Sequence, residues 1–128
     1  MTIREAIDRV DNLNPNTISE EDKIRWLSAL DYSIYHDVYK THYLNPCEEK
    51  REPFEPYTTE HTEKVMIAPF PYDELYVAYL QMKIDEANKE TDRFNNSAAL
   101  YNAYLEDYTH HYHKTHRPIN KNHFRIWG

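Results

Sequence analysis

Apolar side chains return every three or four residues along most of this chain, a spacing that puts them on one face of a helix. Ile3, Ala6, Ile7, Val10 and Leu13 make the first such stripe. Thr2 followed by Glu5 reads as a capping box, and Pro15 disfavours helical geometry in the residue before it, so a helix is expected over residues 2–13. After a turn at Asn14–Thr17, Ser19 can cap a second helix, and Glu20, Glu21 and Asp22 suit the positive end of its dipole. Ile24, Leu27, Leu30, Ile34 and Val38 form its stripe; the helix is expected over 19–43, fraying ahead of Pro46. Trp26 lies off the centre of that stripe, at a core edge or against a neighbour, and Tyr35 and Tyr39 make a second, more polar edge.

From Asn45 to Pro71 the period is lost, and Pro46, Pro53, Pro56, Pro69 and Pro71 punctuate the segment. A loop of that length inside a domain tends to be functional or to reach a partner. Val65 and Ile67 alternate with Lys64 and Met66, which predicts a short strand over 63–68. Two pairings are open to it: a β-hairpin with the Phe54–Thr58 region, or a strand on a neighbouring chain. The longest periodic run, residues 73–116, carries Val77, Leu80, Ile84, Ala87, Thr91, Phe94, Ala98, Tyr101, Leu105, Tyr108 and Tyr112. It reads as one long helix, or as two meeting at a kink between Asn88 and Asn96, where helix propensity is weakest. The expected fold is all-α: a small helical bundle with one long C-terminal helix and a proline-rich loop, in a single domain over 1–116 (loop 45–71). A tail over 117–128 follows, and Phe124, Ile126 and Trp127 oblige it to fold back or to dock elsewhere.

Composition narrows the function more by exclusion than by suggestion. At 128 residues the chain suits one domain, able to bury roughly two thirds of its unfolded surface. A net charge of −7 argues against a grip on nucleic acid built by neutralising phosphates, although Lys114, Arg117, Lys121 and Arg125 make the last residues locally basic. Gly128 is the only glycine, which rules out a phosphate loop, a dinucleotide fingerprint or a nucleophile elbow within this sequence. Cys47 is the only cysteine, so the chain forms no internal disulfide and no thiolate zinc cluster, and no basic neighbour favours its thiolate. Its longest apolar run, Val65–Phe70, is too short to span a bilayer, and the chain reads as soluble and intracellular when made.

The candidate chemistry is thin. His110, His113 and His116 descend the end of the long helical run at steps of three and could share a metal, but cationic side chains are favoured at a helix C-terminus without one. No metal or cofactor is therefore expected, and His36 and His42 are read as surface residues. Glu106 with Asp107, and Asp73 with Glu74, could serve acid–base chemistry, yet they read as solvated surface, with Asp73 as a helix N-cap. Twelve tyrosines are many for this length, and Tyr72, Tyr76, Tyr79, Tyr101, Tyr104, Tyr108 and Tyr112 do not share one face. Some are expected to point outward as anchors between proteins. The expected interface residues are Phe54, Tyr57, Val65, Ile67, Tyr104, Tyr108, Phe124 and Trp127.

The phrases PFPYDELYVAYLQMKID (residues 69–85) and NKETDRFNNSAALYNAYLEDYTHHYHKTHRP (88–118), with NPNTISEEDKIRWLSALDYSIYHDVYKTH (14–42), resemble head–tail connector (adaptor, neck) proteins. These proteins belong to tailed phages and prophages of Gram-positive bacteria. RFNNSAALYNAY (93–104) is the most distinctive phrase. The likeness implies a helical virion structural protein, not an enzyme, made in the host cytoplasm. It would assemble as a homo-oligomeric ring below the portal and extend the DNA channel without sequence-specific binding. Its partners would be the portal and the next neck or tail protein, with the 45–71 loop and the 117–128 tail making the subunit and portal contacts. An acidic balance suits a channel wall that must not hold phosphates. Two other classes fit the residues: a small acidic helical inhibitor of one partner protein, and a histidine-based metal-binding module.

Overall fold

The computed structural model describes residues 1–46, 48 and 53–119, and it is all-α: four helices, with no strand among the described residues. They are α1 (Ile3–Leu13), α2 (Glu20–Ile34), α3 (Glu74–Ala87) and α4 (Thr91–Thr115). α1 begins at the expected capping box, with Thr2 Oγ1 accepting from the Glu5 amide at 3.1 Å and Glu5 Oε1 from the Thr2 amide at 3.3 Å. Ser19 caps α2 by accepting the Asp22 amide at 3.2 Å. α2 ends earlier than its stripe suggests and widens into a π-helical turn, Tyr35–Tyr39, in which the Lys40 amide reaches back to Tyr35 O at 3.0 Å. Asp73 stands at the N-cap position of α3 as expected but makes no side-chain capping bond; it is buried, with Oδ2 at 3.4 Å from the Met1 amino group.

The 73–116 run is not one helix, nor two meeting at a kink. It reverses at Asn88–Glu90. Tyr79 meets Tyr101 with ring centroids 4.9 Å apart, and Tyr72 meets Tyr108 at 5.8 Å, so residue numbers rise along α3 as they fall along α4: the two are antiparallel. The C-terminus of α3 is a Schellman motif, in which the Glu90 amide bonds Asp85 O at 3.0 Å and the Lys89 amide bonds Glu86 O at 3.1 Å. Lys89 takes the left-handed position that glycine usually fills, with φ of 58°. Ala87 and Thr91, expected on the buried face, are exposed because this reversal carries them out.

The core joins Ile3, Ala6, Ile7 and Val10 of α1 to Ile24, Leu27, Leu30 and Ile34 of α2 and to Leu75, Leu80 and Ile84 of α3. Leu13, at the end of the first stripe, projects into solvent. Trp26 packs at the core edge, with Lys83 Nζ 5.6 Å from its ring centroid. Ion pairs stitch the helices together at the surface: Arg4 with Glu20, and Arg9 bidentate to Glu74 at 2.8 and 2.9 Å. Lys23, buried, reaches Asp11 at 2.6 Å.

The extended stretch at 64–66 does not pair with Phe54–Thr58. It lies against the start of α1. The Ile3 amide bonds Lys64 O at 3.1 Å, the Met66 amide bonds Met1 O at 3.0 Å, and Thr2 faces Val65 in an antiparallel bridge. The physical reason is the cap itself: Thr2 is extended (φ −81°, ψ 163°), so the backbone entering α1 offers a strand-like edge.

Candidate functional site

Beneath the proline-rich loop lies a buried carboxylate that the hydrophobic pattern conceals. Asp31 follows Leu27 by four residues and precedes Ile34 by three, at the middle of the α2 stripe, and has no exposed surface. Its Oδ2 accepts the Tyr57 hydroxyl and the Ile67 amide, the latter at 3.1 Å, and its Oδ1 accepts the Tyr76 hydroxyl at 2.6 Å. Tyr76 in turn accepts the Ala68 amide at 2.7 Å. A buried charge is tolerated where its lone pairs are met by donors, as they are here. Burial raises the Asp31 carboxyl above its ordinary value against the lowering pull of these bonds, and burial also raises Tyr57 and Tyr76, so both phenols stay protonated as donors. The cluster fastens the loop to α2 and α3. A charged residue in an apolar stripe was the sequence signal for it.

That arrangement corrects part of the expected interface. Tyr57 and Tyr108 are buried in the chain's own core, Tyr57 because Asp31 holds it and Tyr108 because it fills the space beside Tyr72. Phe54, Ile67 and Tyr104 are half-buried and pack against the core, while Val65 is exposed. Phe124 and Trp127 lie outside the described residues, as does Cys47. The seven tyrosines of 72–112 are all buried or half-buried: Tyr72 meets Tyr108 and Tyr79 meets Tyr101, while Tyr76 turns to Asp31 and Tyr112 stacks on Tyr39. The exposed tyrosines are Tyr32 and Tyr43. Burial raises Tyr79 and pushes Tyr101 up to about 12.

The histidines divide among separate contacts. His42, expected at the surface, is buried: Nδ1 lies 2.7 Å from Val38 O, and Nε2 lies 3.2 Å from His113 Nδ1. His116 stacks on Tyr112 at 3.8 Å and sets Nε2 2.7 Å from Glu48 Oε1. His110 is exposed and His36 leans on the Tyr32 ring at 4.3 Å. Among the described residues no group of three or more His, Cys, Asp or Glu is placed to hold a metal ion. No helix among them is long and apolar enough to cross a membrane. Of the carboxylate pairs, Glu74 is taken up by Arg9, and Glu106 and Asp107 are exposed.

One exposed surface departs from the rest. From Phe94 to Leu105 the chain has no Asp, Glu, Lys or Arg, although 29% of its residues are charged. On α4 the inward positions there are Phe94, Ser97, Ala98, Tyr101, Tyr104 and Leu105; the outward ones are Asn95, Asn96, Ala99, Leu100, Asn102 and Ala103, all exposed, Leu100 by 49%. Asn96, Leu100 and Ala103, three or four residues apart, share one line along the helix. Depletion of charge distinguishes the centre of a protein interface from ordinary surface. Asp92 and Arg93 border this face at one end, Glu106 and Asp107 at the other. The chain matches no family model, no curated protein and no solved structure.

Proposed function

We propose that this chain is a structural virion protein, a head–tail connector subunit that acts as a ring below the portal and extends the DNA channel. The observation that carries the proposal is the position of its most distinctive phrase. RFNNSAALYNAY falls on the α4 surface that is at once exposed and free of charge between its borders. Small side chains such as Ala99 and Ala103 let a second helix approach closely, and Asn95, Asn96 and Asn102 can bond across a contact without a buried charge. The surface thus suits a second copy of the chain better than water.

In this reading the four helices act as a rigid bundle, and the loop fastened by Asp31 gives the portal or a neighbouring copy a fixed surface instead of a floppy strap. Val65 and Phe70, exposed by 66% and 85%, are its apolar points of contact. No bond is made or broken by the subunit, and no cofactor is required. The acidic balance keeps DNA sliding past the lumen, since like charges do not hold phosphates.

The test is assembly with a portal protein found among the neighbouring genes. Mass photometry and electron microscopy of the co-expressed pair should show many copies of the chain in a ring on the portal. A one-to-one complex with an unrelated enzyme would support an inhibitor instead.

A further inference from the structure

The chain leaves the described region at a definite place and in a definite direction. Residues 117–119 run antiparallel to 41–43: the Tyr43 amide bonds Arg117 O at 2.7 Å, the Ile119 amide bonds Thr41 O at 2.7 Å, and His42 faces Pro118. Passing from Arg117 to Ile119, the backbone moves from the level of Tyr43 to that of Thr41. Its onward direction is back along the π turn, toward Asp37 and α2.

A groove begins beside that turn. α2 and α4 each run antiparallel to α3, hence parallel to each other, and the recess is lined by Leu30, Ile34 and Val38 from one side and by Tyr101, Leu105 and Thr109 from the other. The recess measures about 170 Å³, and an apolar cavity of roughly 150 Å³ accepts one benzene ring. A neighbouring hollow shares Leu105 and Thr109 with it and is bordered by Glu106, Asp107 and His110, and exposed Asp37 lines the recess itself. The walls are apolar and the rim is acidic.

We propose that residues 120–128 of the same chain occupy this groove, seating an aromatic ring in the recess. Three observations select that occupant. Ile119, the last described residue, pairs with Thr41, four residues beyond Asp37 on the groove's edge, so the segment need only continue the 117–119 direction to enter it. It carries Lys121 and Arg125 and no acid, opposite in sign to Asp37, Glu106 and Asp107, and it brings Phe124, Ile126 and Trp127, which otherwise stay wet. Its reach is sufficient: at about 3.3 Å per residue Phe124 can lie ~16 Å beyond Ile119, and Leu30 lies a similar ~16 Å of helix back from Thr41 at about 1.5 Å per residue. The inference concerns the free chain and stands apart from the assembly reading.

Trp127 is its own reporter once Trp26 is changed to Phe. In that full-length chain the Trp127 emission should be blue-shifted and shielded from acrylamide. The shielding should stay constant over about a hundredfold range of protein concentration, as an intramolecular contact requires. Thr109→Arg, at an exposed wall position, and Asp37→Lys, at the exposed rim, should each lower the docked-to-free ratio about tenfold, with helical content and Tm held. Free quenching of Trp127 in the parent would overturn the proposal. So would shielding that ignores both substitutions, or shielding that grows with concentration, which would place the segment on a second copy.

Discussion

Tyr76 donates its hydroxyl hydrogen to Asp31 Oδ1 at 2.6 Å while its oxygen accepts the Ala68 amide at 2.7 Å, so one phenol links α2, α3 and the loop. Tyr76→Phe keeps the ring in the core and deletes that link. It removes a hydrogen bond to a buried carboxylate and orphans a buried amide, a loss of roughly 2–4 kcal/mol. Urea unfolding near neutral pH should show that loss. Tyr57→Phe should cost about 1.5–3 kcal/mol. The double variant should fall short of the sum, because both phenols serve one carboxylate.

The same carboxylate makes stability depend on pH in a definite direction. Burial raises Asp31 on folding. Between its ordinary value and the raised one, the folded chain binds more protons than the unfolded chain, so this group's contribution declines as pH rises across that window. Asp31→Asn has no such linkage, but it asks the Tyr76 hydroxyl, already accepting Ala68, to accept an amide as well, at a cost of about 1–3 kcal/mol. The advantage of the parent over Asp31→Asn should therefore be largest below the ordinary carboxylate range and shrink as pH climbs through the window. Paired urea titrations across acid pH measure it, and an advantage that widens with pH would contradict the assignment.

Lys89 holds a left-handed conformation that a side chain with Cβ resists. Lys89→Gly should stabilise the chain by about 0.5–1 kcal/mol despite the added freedom of its unfolded state. Thermal unfolding should show the gain, and Lys89→Ala, which keeps Cβ, should show none of it.

The stripes of α1 and α2 and their caps were legible because each lies within a few residues of chain and follows one period. The reversal at Asn88–Glu90 was not, since Lys89 does there what a reader expects of glycine. Nor was the partner of residues 64–66: a strand-like stretch shows its own alternation but not which distant backbone will meet it, here Met1–Ile3. His42 was read as a surface residue and Asp31 drew no reading at all, for a shared reason. Polar side chains are assigned to the surface unless partners are seen, and Tyr57, Tyr76 and His113 come from remote parts of the chain. Some of the tyrosines over 72–112 were expected outward because they cover more than one face of a single helix; instead Tyr79 and Tyr101 meet across the hairpin, Tyr76 turns to Asp31 and Tyr112 to Tyr39.

The central claim is that the uncharged α4 face joins copies of this chain. Leu100→Glu with Ala103→Glu places two charges on it at exposed positions, where a change of side chain typically alters stability by no more than about 0.5 kcal/mol. Electron microscopy of parent and variant, each co-expressed with the portal, is the most direct measurement. The account predicts rings with Leu100 and Ala103 at the subunit contact for the parent, and none for a variant that still folds with an unchanged Tm. Intact rings from the variant, or parent rings that leave this face in solvent, would contradict it.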